Sequence, residues 1–231
     1  MDVLGVIHGE NCRAGVFGDV ARERGHSLDE WSLAWGTPIP RPLDSYGAVI
    51  VFGGAMHADQ DEHHPWLTEE TLFLQRLLDL GLPALGVCLG AQLLARAAHA
   101  PVLPAPEPEL GWLPVELTAA AAGDPVLGGL PRRFDAFQWH SYTHGIPAGA
   151  VELARSPVCT QAFRLGARAW GIQFHAEITA AQVESWIAEE PDVPPPGLAD
   201  ETRARIAVWN TLGRGLCGDF LGVAEGVRAA A

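Results

Sequence analysis

The sequence predicts an α/β fold, with a doubly wound and mostly parallel sheet, helices on both faces of the sheet and a small antiparallel addition. In the first half of the chain, short apolar runs typical of buried strands alternate with helix-like segments. Several short strand signals then follow one another without helices between them, which predicts the antiparallel addition. At 231 residues, the chain is long enough for one large domain with a substantial core.

The individual elements follow from local composition. Strands are predicted where apolar and β-branched residues run together between turn-forming residues. They are expected at Val3–His8, His26–Leu33, Ala48–Phe52, Leu82–Val87, Leu113–Leu117, Val151–Arg155, Thr160–Phe163 and Ala169–Phe174. Helices are predicted where apolar residues recur at helical spacing. They are expected at Ala14–Arg24, Trp66–Leu80 and Leu89–His99, with one or two more within Ala199–Val223.

The chain is expected to form one main domain over residues 1–190. The segment EPDVPPPG that follows is rich in proline and reads as a connector. Residues 191–231 are therefore predicted to be this connector and C-terminal helices that pack on the same domain.

Charge and composition narrow the range of partners. The net charge of −13 argues against nucleic acid and anionic membrane as partners. No apolar run reaches the roughly 18 residues needed to span a bilayer. The first residues lack the basic segment of a secretory signal, so a cytoplasmic location is expected. The four cysteines form no C-x-x-C pair, which argues against a disulfide framework or a zinc motif.

One cysteine lies in an unusual frame, Gly86-Val87-Cys88-Leu89-Gly90, between a predicted strand and a predicted helix. A nucleophile on such a tight turn projects from the sheet, and small neighbours are needed because the turn is crowded. The helix that follows would direct backbone N–H groups and a partial positive charge toward the sulfur, which favours a thiolate. The other three cysteines (Cys12, Cys159 and Cys217) are interpreted as structural.

A second pattern ends the last predicted strand, in the sequence WGIQFHAEIT. His175 and Glu177 are two residues apart, so in an extended segment their side chains point the same way. Glu177 could then hold the imidazole of His175 in one tautomer, leaving its other nitrogen for the thiol of Cys88. This arrangement predicts a nucleophile, a base and an orienting carboxylate at the strand ends.

With both motifs in view, the sequence resembles a class I glutamine amidotransferase domain of the kind related to the glutaminase part of GMP synthase. That family has a G-x-C-x-G-x-Q turn and a later Q-F-H-x-E, which correspond here to residues 86–92 and 173–177. The similarity covers most of residues 3–188. It implies a flavodoxin-like fold and hydrolysis of the side-chain amide of L-glutamine through a cysteine thioester.

The resemblance also implies a role for each matching residue. Cys88 would be the nucleophile, His175 the proton shuttle and Glu177 its orienting partner. The backbone N–H groups of Gly54 and Leu89 would form the oxyanion hole. Substrate-binding residues would be Gln92, Ser141 and Tyr142. The chain departs from the family where Ala55 replaces the proline that usually follows the loop glycines, and where Ala176 replaces the proline of H-P-E.

No cofactor and no metal are expected. The loop MHADQDEHH contains three histidines and three acids, but it lacks the spacing of a metal motif and is interpreted as a solvated loop near the site. His144 is expected at the surface.

Several functions remain open from the sequence. Ammonia could pass to a separate synthetase subunit, since no synthetase sequence follows the two motifs. A γ-glutamyl peptidase or hydrolase could use the same triad on a γ-glutamyl compound. A catalytically silent regulatory module is disfavoured, because such a module has no need for Cys88, His175 and Glu177 together.

Overall fold

The computed structural model describes residues 1–230. Its strands are β1 (Asp2–Val6), β2 (Ser27–Trp31), β3 (Ala48–Val51), β4 (Ala84–Val87), β5 (Val102–Leu117), β6 (Arg133–His144), β7 (Ala150–Arg155), β8 (Thr160–Leu165) and β9 (Ala169–Ile172). Its α-helices are α1 (Gly15–Glu23), α2 (Trp66–Asp79), α3 (Leu89–Ala97), α4 (Ala180–Glu189) and α5 (Leu198–Ala229).

Within residues 1–230 the strands form one nine-stranded sheet in the order β2-β1-β3-β4-β9-β8-β7-β5-β6. The first five strands of this order are parallel to one another, and the other four pair antiparallel. The α/β fold class is confirmed, and the antiparallel section is larger than the strand signals indicated. The carboxyl ends of the parallel strands share one edge of the sheet, where β4 and β9 are neighbours.

Alternating side chains along the parallel strands fill two hydrophobic cores, one on each face of the sheet. In β3, Ala48 and Ile50 pack with α1 and α5, while Val49 and Val51 pack with α2 and α3. Strands buried on both faces read as continuous apolar runs, as β3 does. This explains why the parallel strands could be recognised from composition alone.

The antiparallel section differs from the prediction in two strands. β5 begins at Val102 instead of Leu113, and β6 was not predicted. Four prolines interrupt the sequence of β5, VLPAPEPELGWLPVEL, and proline in a run normally argues against a strand. β5 tolerates them because it pairs with β7 only at Glu116 and Leu117, which leaves most of that edge without a partner strand.

The closing segment is one continuous helix, α5, of 32 residues. The glycines of the sequence Gly215-Leu216-Cys217-Gly218 do not end this helix, because α5 continues to Ala229. Close packing accounts for at least one nearby glycine: a Cβ at Gly213 would lie 2.0 Å from the carbonyl O of Ala176. The division of the chain at residue 190 stays a proposal.

No helix in residues 1–230 has both the length and the apolar character that a membrane crossing requires.

Candidate functional site

Cys88 lies on the turn that joins β4 to α3, in a backbone conformation unusual for a residue with a side chain. Its φ and ψ are 52° and −110°. A Cβ at Gly90 would lie 2.0 Å from the carbonyl O of Val51, and a Cβ at Gly86 would lie 2.5 Å from the backbone of Gly90. Both glycines are therefore required by close approach of the backbone. Strain of this kind, of the order of 1–3 kcal/mol, is typical of functional turns.

The helix that follows the turn contributes free N–H groups. Leu89 is the first residue of α3, so its N–H has no acceptor within the helix. Cys88 is the N-cap residue, at the end of the helix that carries the partial positive charge. An anion that forms at this position, either a thiolate or an oxyanion, is stabilised by both features.

His175 and Glu177 follow β9, the strand beside β4. The Nδ1 of His175 lies 2.8 Å from the Oε1 of Glu177, and both side chains are almost fully buried. Burial lowers the pKa of His175, but the Glu177 carboxylate and the Cys88 sulfur outweigh it, and the pKa rises to about 10. The raised pKa favours the protonated form of this imidazole beside the sulfur.

The three side chains predicted to act together are thus at one edge of the sheet. A Cβ at Gly53 would lie 2.9 Å from the Cε1 of His175 and 3.7 Å from the Cβ of Cys88. The Gly53-Gly54 loop after β3 therefore closes directly over this pair, and only glycine at position 53 leaves room for the imidazole. The catalytic roles themselves stay predictions.

Gly54 lies beside Leu89, and the role of their N–H groups as an oxyanion hole stays a prediction. A Cβ at Gly54 would lie 2.8 Å from the Cδ2 of Leu89. The loop is held from below by His8, whose Nδ1 donates to the carbonyl O of Gly53 at 3.0 Å. The Nε2 of His8 lies 3.0 Å from the Oε1 of Glu70, and both side chains are fully buried. This pair was not predicted from the sequence, in which its two members are 62 positions apart.

These residues border a cavity of about 370 Å³. It is lined by seven of the eight predicted site residues, which are Gly54, Cys88, Leu89, Gln92, Ser141, Tyr142 and His175. The eighth, Glu177, lies behind His175. The side-chain amide of Gln92 donates to the carbonyl O of Tyr142 at 3.0 Å and to the Oε1 of Gln173 at 3.2 Å.

The structure gives two histidines contacts that were not predicted from the sequence. His144, expected at the surface, is 4% exposed and packs edge-on against Phe163, because β6 carries it into the sheet. Its burial lowers its pKa to about 4. His57, in the histidine-rich loop, stacks on Tyr142 with 3.9 Å between the ring centroids and lines the cavity.

The remaining three cysteines are buried to different degrees, Cys217 fully and Cys12 and Cys159 in part. Burial raises the pKa of Cys12, Cys159 and Cys217 to about 12 in each case. A raised pKa disfavours the thiolate at these three positions, and their structural role stays a prediction.

Comparison with known proteins assigns the class. The family model described as Glutamine amidotransferase class-I matches residues 22–189, and the chain belongs to this family. This confirms the resemblance predicted from the two motifs, and with it the relation to GMP synthase glutaminase domains.

Individual relatives agree with this assignment. A glutamine amidotransferase-like protein of Salmonella typhimurium, YfeJ, is 30% identical over 194 residues, which is 81% of this chain and 80% of the relative. The glutamine-hydrolysing GMP synthase of Thermomicrobium roseum is 38% identical over 112 residues, which is 48% of this chain but 21% of that enzyme. The crystal structure of a glutamine amidotransferase from Thermotoga maritima superposes with a TM-score of 0.86 at 31% identity, covering 95% of this chain and 97% of the other.

Proposed function

We propose that the protein hydrolyses the side-chain amide of L-glutamine through a thioester on Cys88. The observation that carries this proposal is the position of His175, which is held by Glu177 at 2.8 Å and lies beside Cys88 at the edge of a cavity. An imidazolium in this position stabilises the thiolate that attacks, and it can then give its proton to the leaving group.

The reaction would proceed in two halves. The sulfur of Cys88 attacks the amide carbon of glutamine, and the N–H groups of Gly54 and Leu89 stabilise the oxyanion. His175 transfers its proton to the departing nitrogen, so that ammonia leaves and a thioester remains. Water then attacks the thioester and gives a proton to His175, and glutamate and the free thiol are released.

The cavity offers groups for the rest of the substrate. Its outer part includes Glu189 and Glu190, whose carboxylates would attract the α-ammonium group of glutamine. We propose that the backbone of Ser141 and Tyr142 binds the substrate on the opposite wall. Gln92 supports that wall through its hydrogen bond to the carbonyl O of Tyr142.

A second candidate substrate is a γ-glutamyl amide or peptide, and the lining of the cavity favours it. Beyond the polar groups, the cavity is bordered by Pro108, Leu110 and Val193. Apolar residues of this kind would accommodate a substituent on the amide nitrogen, which free glutamine lacks. The triad chemistry is the same for both substrates.

We propose further that the ammonia passes to a separate synthetase subunit. The support is that GMP synthases share this domain, and the matched segment of this chain spans 21% of one such enzyme. The test is the glutaminase rate after mixing with a candidate synthetase subunit, and an unchanged rate argues against the proposal.

A cytoplasmic location is proposed because the four cysteines are free thiols.

The central experiment measures ammonia release from L-glutamine and from a γ-glutamyl peptide. Wild-type protein should release product, Cys88→Ala should not, and Cys217→Ala, a buried cysteine outside the cavity, should behave like the wild type. Labelling of Cys88 by a glutamine-analogue chloroketone provides an independent readout. No turnover of either substrate together with no labelling of Cys88 would contradict the proposal.

A further inference from the structure

A second group of potential ligands lies next to the substrate-side wall of the cavity. Glu109 on β5, His140 on β6 and Cys159 just before β8 direct an oxygen, a nitrogen and a sulfur toward one point, and these three atoms lie within 4.8 Å of one another. The side chains of Glu109 and His140 are each 2% exposed. None of the three has a role in the proposed glutaminase chemistry.

The hydrogen bonding of His140 leaves one ring nitrogen without a partner. Its Nδ1 lies 3.0 Å from the carbonyl O of Tyr142, and since a carbonyl can only accept, Nδ1 carries the hydrogen. In the neutral ring, Nε2 is then a lone pair, and it points at the Oε2 of Glu109 at 3.3 Å. Within residues 1–230 this buried Nε2 has no hydrogen-bond partner. Two facing lone pairs repel each other unless a proton or a metal ion lies between them.

The separations suit a tetrahedral metal ion. Zinc bonds of 2.0–2.3 Å place tetrahedral ligands about 3.3–3.8 Å apart. The Nε2 of His140 is 3.3 Å and the Sγ of Cys159 is 3.2 Å from the Oε2 of Glu109. Two of the three separations therefore already match such an ion closely, and the third, between Nε2 and Sγ, is at most 4.8 Å.

We propose that Glu109, His140 and Cys159 form a binding site for a divalent zinc-class metal ion, with water in the fourth position. A thiolate, an imidazole and a carboxylate together suit Zn²⁺ better than Mg²⁺ or Ca²⁺, which prefer oxygen ligands. On binding, the thiol of Cys159 releases its proton to solvent and the sulfur bonds to the metal.

A supporting residue is already in place around these ligands. The Nε2 of Gln161 donates to the Oε2 of Glu109 at 2.7 Å, and Gln161 in turn accepts from the amide of Gln138 at 2.7 Å. Outer partners of this kind orient metal-binding carboxylates. Because His140 is followed directly by Ser141 and Tyr142, a metal here would fix the backbone that lines the substrate cavity.

The test uses the full chain carrying Cys88→Ala, so that the thiol of the proposed active site cannot contribute a ligand. Titration with Co²⁺ should give one ion per chain with the absorption of a sulfur-to-cobalt charge transfer, and Zn²⁺ should displace the cobalt. Adding Cys159→Ala should abolish this absorption. Adding Cys217→Ala instead, the matched cysteine outside the cluster, should leave it unchanged.

A second variant keeps all three ligands, so that its effect on metal binding does not depend on removing a ligand that folding could require. Gln161→Leu should retain the absorption and lower the affinity about 10–100-fold, as loss of an outer partner does. Absence of stoichiometric binding in the Cys88→Ala protein would overturn the proposal. Binding that survives Cys159→Ala in a folded protein would overturn it as well. Neither result depends on whether the chain hydrolyses glutamine.

Discussion

His8 and Glu70 form a fully buried pair, with 3.0 Å between Nε2 and Oε1, directly beneath the loop proposed to hold the oxyanion. The other ring nitrogen of His8 donates to the carbonyl O of Gly53. His8 stands just after β1, so the pair connects two strand ends and α2. In a chain with alanine where the family loop usually has proline, this pair provides a separate means of fixing the loop.

His8→Ala and Glu70→Gln should therefore lower kcat for glutamine hydrolysis and leave KM nearly unchanged. The decrease in kcat should not exceed the decrease caused by removing one oxyanion-hole donor, which is about 10²–10³-fold. Steady-state ammonia release measures both constants. His26→Ala is the matched control, because His26 pairs with Glu225 at 2.9 Å away from the cavity. An equal loss in the control would show a general effect on folding.

The same pair should make stability depend on pH. Burial lowers the pKa of His8, but the charge and hydrogen bond of Glu70 outweigh it, and the pKa is raised above 6.5. A raised histidine pKa means that the stabilisation is complete below pH 6.5 and is lost as the pH rises through the folded-state pKa. Urea unfolding should show that the wild type has a higher free energy of unfolding than Glu70→Gln, and that this difference shrinks with increasing pH. A difference that grows would contradict this assignment.

Glu177→Gln should move the alkaline limb of the pH–rate profile to lower pH. The carboxylate of Glu177 is the largest influence that raises the pKa of His175 to about 10, so its loss lets the imidazolium deprotonate earlier. The rate itself should fall by roughly 10²–10⁴-fold, as for other orienting carboxylates. Ammonia release across the pH range is the measurement, with Glu184→Gln on the outer face of α4 as control. An unshifted limb would mean that another group titrates.

Gly213→Ala and Gly215→Ala should have opposite effects on stability although both lie in α5. A Cβ at position 213 would lie 2.0 Å from the carbonyl O of Ala176, whereas at position 215 nothing lies within 4 Å. The first change should destabilise by about 1–3 kcal/mol through overpacking. The second should stabilise by about 0.5–1 kcal/mol, the helix preference of alanine over glycine. Thermal or urea unfolding of both variants is the check, and equal effects would refute the packing argument.

The sequence was sufficient for features that depend on neighbouring residues. The Cys88 turn and the His175–Glu177 pair are short-range patterns, and the buried parallel strands are apolar on both faces. β6 and the full length of β5 were not predicted because their sequences lack a continuous apolar run. β5 contains prolines, which its largely unpaired edge tolerates, and β6 contains many polar residues. His8 gave no signal beyond its place at a strand end, since its partner Glu70 is 62 positions away.

The cluster of Glu109, His140 and Cys159 was missed for a related reason. Each ligand comes from a different strand or loop, and only the antiparallel pairing of β5, β6, β7 and β8 brings them together. Metal-binding motifs are recognised by ligands at short spacing within one segment. The histidine-rich loop has several potential ligands close together in sequence, whereas this cluster does not. His144 was misplaced because the strand that buries it had not been recognised.

The contact of α5 with the proposed active site affects the order in which the site can form during synthesis. The indole N–H of Trp209 donates to the carbonyl O of His175 at 2.8 Å, and Gly213 packs on Ala176. A chain still on the ribosome can have completed its sheet and presented all three triad side chains while this helix remains in the exit tunnel. The site would then be completed only after α5 has been synthesised and has packed against it, later than the sheet itself.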